Sequence, residues 1–243
     1  MTHAFPLGAE VEPHVSVIIP AVNESETLRE VIGAVRAQSV AFEIIVVDGS
    51  SSDDTIASAV EGGARVISSP CRQRAYQLNL GARHARGEIL LFLHADTFLP
   101  ECAFQQIFES LKNLDVVGGA FARRYQSRSL LLQLTCYLAR WRNRLIGWHL
   151  GDQAMFVRRS AFFQLGGFLE VDMFEDLHFS RRLKRFGRIL TLVPGVISSS
   201  RRFARKGPLR TTVRDLALTV GYLLHGLPYE TASGRVRPIG IPS

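Results

Sequence analysis

Short, nearly continuous apolar runs alternate with amphipathic stretches through the first part of the chain. Val15–Ile19 reads as a buried strand. Asn23 to Glu26 then has the spacing of a capping box, followed by Leu28, Val31, Ile32 and Val35 on one helical face. The unit recurs: Glu43–Val47 as a strand, Ser52–Thr55 opening a helix, Arg65–Ile67 as a short strand, a helix over Arg72–Ala85, and Glu88–Leu93 as a fourth strand. Strands that lack polar alternation are covered on both faces, and helices between them cross over right-handedly. The pattern therefore predicts an α/β fold: a Rossmann-like, mostly parallel sheet with helices on both faces.

Beyond Asp96 the rhythm changes. The pattern predicts a helix over Pro100–Leu111, a strand over Val116–Ala122, and a helix with apolar residues 130, 134, 137, 141, 145 and 148 on one side and Arg140, Arg142 and Arg144 on the other. Ala154–Val157 reads as a strand, and Glu175–Asp176 opens a further helix. Pro208–Leu227 places Leu209, Val213, Leu216, Val220 and Leu224 along one face. Basic amphipathic helices of this kind either pack the stripe on the core or lie on a membrane surface, and both readings stand. The expected organisation is a tail at 1–13, a single catalytic domain over 14–205, and an amphipathic helix with a tail over 206–243.

With 243 residues, 47% of them hydrophobic, the chain is long enough for one large domain. Met1–His14 has no apolar run of signal-peptide type, and no stretch approaches the roughly 18–20 apolar residues that span a bilayer. The expected location is the cytoplasm, with the inner face of the plasma membrane as the alternative. Cys71, Cys102 and Cys136 lack metal-ligand spacing and read as reduced thiols. The net charge of +7 suits a polyanionic partner such as a nucleotide diphosphate or an anionic membrane. Nucleic acid is set aside, because the basic residues fall in no recognisable binding motif.

Three acidic signals stand at the ends of predicted strands or the start of a helix: Asp48, Asp96 and Glu175–Asp176. Strand ends are where open α/β sheets bind ligands. Asp48 either accepts hydrogen bonds from a base or ribose, or only shapes a turn. Asp96, with His94 two residues before it, either binds a divalent ion (Mn²⁺ or Mg²⁺) that bridges two phosphates, or turns the chain. Asp172 and Glu175 have capping-box spacing. That leaves Asp176 on the face shared with Phe179, Leu183 and Phe186, as a general base or an ion-pair partner. Arg72, Arg74 and Asn79 follow the third strand as candidate nucleotide contacts, and Gly151, Asp152 and Gln153 precede a strand on the acceptor side. Gly118–Gly119 permits close backbone approach, and Gly166–Gly167 a helix stop. A nucleotidyltransferase and a non-catalytic nucleotide-binding module are the competing readings. The first is disfavoured by the absence of glycine in Pro20–Glu24.

Taken together, Val15–Glu24, Ile45–Ser50, Leu91–Asp96, Gly151–Gln153 and Phe174–Asp176 resemble family 2 glycosyltransferases of the GT-A fold over roughly residues 14 to 200. The likeness extends to the small bacterial branch labelled arsenosugar-biosynthesis glycosyltransferases. It implies inverting transfer of a single sugar from a nucleotide-diphosphate sugar to a hydroxyl or carboxyl acceptor, lipids included. Pro20, Asn23 and Glu24 would line the nucleotide pocket, Asp48 would meet the base, and Asp96 the metal and diphosphate. Glu175 would stand on the acceptor side and Asp176 would be the catalytic base. The family's metal motif usually begins with an acid, whereas His94 stands there in this chain, and imidazole suits Mn²⁺ better than Mg²⁺. The expected partners are the donor, the acceptor, a peripheral membrane surface and a second copy of the chain in a homodimer.

Overall fold

The computed structural model describes residues 14–125, 133–137, 149, 151–171 and 173–199. Strand β1 (Val15–Ala21) leads into α1 (Ser25–Arg36), β2 (Phe42–Asp48), α2 (Thr55–Glu61), β3 (Arg65–Ser68), α3 (Arg74–His84) and β4 (Ile89–Phe92). There follow β5 (Thr97–Phe98), α4 (Ala103–Leu111), β6 (Val116–Tyr125), a 3₁₀ turn at Gly151–Gln153, β7 (Met155–Arg158), α5 (Arg159–Gln164), α6 (Glu175–Phe186) and β8 (Arg188–Ser198). Among the described residues the strands form one sheet in the order β3-β2-β1-β4-β7-β6-β8-β5. Strands β1 to β4, β6 and β8 run one way, and β7 and β5 run against them. The result is the mostly parallel single-domain sheet that the alternating pattern predicts.

Burial explains why the runs are strands. Along β1, Val15, Val17 and Ile19 enter one core with Leu28, Val31, Ile32 and Val35 of α1 and Phe104 and Ile107 of α4, while Ile18 enters the other. The second core joins Ala75, Leu78 and Ala82 of α3 to the phenylalanines of the later elements. Both faces are apolar because both are covered. Phe168 stacks against Phe92 of β4 at 4.8 Å and against Phe179 of α6 at 4.7 Å between ring centroids, so aromatic packing ties α6 to the central strand.

Several expectations are corrected. The N-cap residues of α1 and α6 are Glu24 and Phe174, neither with a side-chain cap bond, so the helices do not start from the Asn23 and Asp172 caps that the spacing predicts. Strands β5 and β8 were not expected. The helix stop at Gly166–Gly167 is present, with φ of 74° and 69° after α5. A Cβ on Gly118 or Gly119 would collide with the carbonyls of Phe156 or Leu190, so the close approach of β6 to β7 and β8 requires glycine there. Most of the predicted helix over 130–148, its arginines, Asp172 and the segments 1–13 and 206–243 lie outside the described residues. Within that helix only 133–137 are described, and they are helical, with Leu134 and Tyr137 exposed. No described helix is long and apolar enough to cross a membrane.

Candidate active site

The register brings the loops to one edge of the sheet. Ala21 pairs with Asp48, Asp48 with Ser68, Ile18 with Phe92, and Phe92 with Met155, the first residue of β7. Because β7 runs backwards, its start and the preceding 3₁₀ turn lie beside the carboxyl end of β4. The ends of β6 and β8 reach the same edge through the pairs Ala120–Met155 and Tyr125–Ser198.

Asp48 ends β2 and is 2% exposed. Its Oδ2 accepts a hydrogen bond from the Ser51 amide at 3.1 Å, while Oδ1 is buried without a hydrogen-bond partner. A buried carboxylate oxygen in that state is poised for a donor from outside the chain. The loop around it is rigid. Asn23 Oδ1 accepts from the Ser52 amide at 2.8 Å, Thr55 Oγ1 accepts from the Glu24 amide at 2.8 Å, and Asp53 accepts from Ser25 and Thr55, which holds its carboxyl near pKa 2. Gly49 is needed because a Cβ there would lie 2.7 Å from Val22 Cγ2 and 2.9 Å from Gln77 Nε2. Pro20 lies within β1, opposite Val47.

After β4 the chain passes through His94 and Asp96. Burial first, and then the Arg74 charge, push the His94 imidazole down to about pKa 3, against the pull of Asp152. Arg74, the first residue of α3, therefore stands within electrostatic reach of His94. It also forms an ion pair with Glu175, Nη1 to Oε1 at 3.6 Å. Glu175 is only 4% exposed, whereas Asp176 is partly covered and accepts a hydrogen bond from the Leu177 amide at 2.6 Å. The fully inward carboxylate is thus Glu175, and of the residues expected to share a face with Asp176, Phe179 and Leu183 are buried but Phe186 is 44% exposed. Burial and the neighbouring Asp176 charge raise the Glu175 carboxyl to about pKa 7, with Arg74 opposing them.

Beside these, Asp152 pairs with Arg123 at 2.5 Å, and the Arg123 guanidinium lies over the Tyr125 ring at 4.7 Å. Burial works against the Arg123 charge, but Asp152 and Tyr125 outweigh it and hold the group above its ordinary range. The Asp152 carbonyl accepts from Ser198 Oγ at 2.9 Å, and the Asp96 carbonyl from the Ser199 amide at 3.1 Å, so β8 laces the two sides together.

Three residues expected at the ligand have other partners. Asn79 is fully buried and its amide pairs with both backbone groups of Phe168, at 2.9 Å each way. Arg72 donates to the carbonyls of Gly49 and Ser50, which shapes the β2 loop. Gln153 is 1% exposed and donates to the Phe121 carbonyl at 3.3 Å. Sequence reasoning missed Arg123 and Tyr125, which follow the predicted end of β6. It also missed the left-handed backbone at Asn23, Ser50, Ala154 and Phe174, every one in a loop at this edge.

Residues 16–166 match the family described as glycosyl transferase family 2. The chain belongs to glycosyl transferase family 2. Among curated relatives, the 4,4'-diaponeurosporenoate glycosyltransferase of Staphylococcus haemolyticus is 35% identical over 109 residues, which is 42% of this chain and 29% of that protein. The glucosyl-3-phosphoglycerate synthase of Mycolicibacterium paratuberculosis is 33% identical over 102 residues, 37% of this chain and 30% of that protein. The chain spans less than half the length of these curated relatives. In fold, this family 2 chain resembles a mannosyltransferase from Pyrobaculum calidifontis in complex with GDP-Man and Mn²⁺. The TM-score is 0.65 at 22% identity, covering 78% of this chain and 57% of that one. This likeness identifies the GT-A fold.

Proposed function

We propose that the chain transfers a single sugar from a nucleotide-diphosphate sugar to a hydroxyl or carboxyl acceptor, with inversion. The observation that carries this is the gathering of His94, Arg74, Asp152, Glu175 and Asp176 at the sheet edge that also holds Asp48. Asp48 and β4 are separated by one intervening strand, so their ends lie roughly 10 Å apart, a span that a nucleoside diphosphate covers.

On this reading Asp48 Oδ1 accepts an N–H of the base, while Pro20, Asn23 and Glu24 border the nucleotide and Arg74 faces the diphosphate. Among the described residues no three His, Cys, Asp or Glu side chains stand close enough together to hold a metal ion by themselves. His94 and Asp96, two residues apart after β4, would supply a nitrogen and an oxygen donor to a divalent ion that the donor's phosphates help to hold, a set that would suit Mn²⁺ better than Mg²⁺. When bound, such an ion supplies Lewis acidity that offsets the charge growing on the leaving diphosphate. Asp176, at the start of α6, takes the proton from the acceptor oxygen as that oxygen attacks the anomeric carbon from the face opposite the diphosphate. The turn Gly151–Gln153, with Asp152 set by Arg123, borders the acceptor.

The acceptor class extends to lipid acids and alcohols, which would bring the chain to the inner face of a membrane. Within family 2 we place it in the branch labelled arsenosugar-biosynthesis glycosyltransferases. The test is a thermal-shift screen of UDP-, GDP- and dTDP-sugars with Mn²⁺ or Mg²⁺. A bound donor raises the melting temperature, and no shift with any of them overturns the proposal.

A further inference from the structure

Glu175 carries more than an acceptor-side contact requires. Its carboxylate is buried at the first turn of α6, beside Asp176 on the same helix, and its counter-charge comes from another element, Arg74 of α3. The two partners differ in exposure. The Glu175 side chain is 6% exposed, whereas that of Arg74 is 54% exposed and reaches Glu175 from 3.6 Å, near the long end of an ion pair. The same guanidinium acts on His94, at the place where the donor's diphosphate is expected. Arg74 therefore stands between a buried carboxylate and the subsite of a second, stronger anion. A guanidinium pairs bidentately with phosphate oxygens and is drawn to the larger charge.

We propose that Glu175 is a positioning residue that holds Arg74 ready for the donor and, when a nucleoside diphosphate draws the guanidinium away, takes up a proton from solvent in its place. This deepens the glycosyltransferase reading and rests on it. The diphosphate gains Arg74, Glu175 loses that guanidinium, and a proton from the buffer converts the carboxylate to the neutral acid. Among the described residues the charges bearing on Glu175 are Asp176 on its own helix and Arg74 from α3, and of these two the repulsion by Asp176 stays when Arg74 leaves. Burial of the carboxylate, which lifts its proton affinity toward neutrality in the free protein, makes the uptake sizeable at working pH. The consequence for chemistry is that Asp176 keeps a neutral neighbour once the donor is in place. The base then takes its proton from the acceptor without a second carboxylate charge beside it.

The experiment is titration calorimetry of UDP, and separately GDP, into the full chain with Mn²⁺ at pH 7.5, in PIPES and in Tris, whose ionisation enthalpies differ. The expected result is a buffer-dependent heat whose sign reports proton uptake by the wild type relative to Glu175→Gln. The Gln variant retains whatever proton change the nucleotide itself makes and so provides the baseline. Arg74→Ala, at a half-exposed position the core does not use, should also lack the uptake and bind the nucleotide roughly tenfold more weakly. It carries the test if Glu175→Gln does not fold. In steady state, Glu175→Gln should raise the donor KM more than it lowers kcat, with Glu175→Asp restoring most of the loss. Equal proton uptake in wild type and both variants overturns the inference while leaving the donor assignment intact. Absence of binding heat with both nucleotides overturns the donor assignment, and this inference falls with it.

Discussion

The two halves of the sheet, joined where β4 meets β7, fix their polar groups by different means. In the half built from β3, β2, β1 and β4, loops are held by hydrogen bonds from hydroxyls and amides to backbone, such as Ser51 to Asp48, Asn23 to Ser52 and Gln77 to the carbonyls of Ala21 and Val47. The half built from β7, β6, β8 and β5 relies on ion pairs, with Arg123 against Asp152 and, across the junction, the half-exposed Arg74 against the buried Glu175. The first means holds the loops through hydroxyls, amides and backbone, with Asp53 as the group that would respond to acid, and it leaves one Asp48 oxygen free to receive a ligand. The second places opposed charges where chemistry moves protons, at the expense of a fold that senses pH.

The contrast can be broken at either half. Asp176→Asn should lower kcat by roughly 10²–10⁴-fold while a nucleotide-sugar still raises the melting temperature. Asp48→Ala should do the reverse and remove that rise. If Asp176→Asn also abolished the nucleotide shift, the division between the halves would be lost. Asn79→Ala should destabilise by about 2–5 kcal/mol in denaturant unfolding, because both backbone groups of Phe168 lose their buried partner. Nucleotide affinity of the folded variant should not change, and a fall would return Asn79 to the ligand.

Glu175 sharpens the pH difference. Its folded pKa of about 7 stands above the usual 4.5, so the stability tied to its proton is fully present below about pH 4.5 and is lost as pH rises through about 7. Glu175→Gln should therefore leave the melting temperature unchanged near pH 4.5 and gain about 1–3 kcal/mol at pH 8. Equal effects at both values would rule out the ionised carboxylate as the cause. The smallest effect is expected at the exposed Arg29–Glu61 pair linking α1 and α2. There Arg29→Ala should change unfolding free energy by less than about 0.5 kcal/mol, and a larger loss would show the frame leaning on surface charge after all.

The frame was the legible half. Its strands are short apolar runs bounded by helices with clear stripes, so periodicity located β1 to β4 within two residues of their observed ends. Strand β8 was invisible because Pro194 and Gly195 interrupt it and one side of it is exposed at Val193 and Ile197. The start of α1 was misplaced for a tertiary reason: Asn23 accepts from Ser52 in another loop, a partner that local spacing cannot reveal. The same limit hid Glu175. Glu175 precedes the buried Phe179 and Leu183 by four and eight residues and Asp176 by three and seven, so helical spacing sets both carboxylates near the inner face, and only the packing of α6 decides between them.

The lacing of β8 to Asp96 is made by main chain, carbonyl to the Ser199 amide. Drift in the side chain at residue 199 can pass without cutting that stitch, since every residue but one supplies the same N–H. Proline alone withholds it, which makes Ser199→Pro the substitution that a tolerant lineage would still have to avoid.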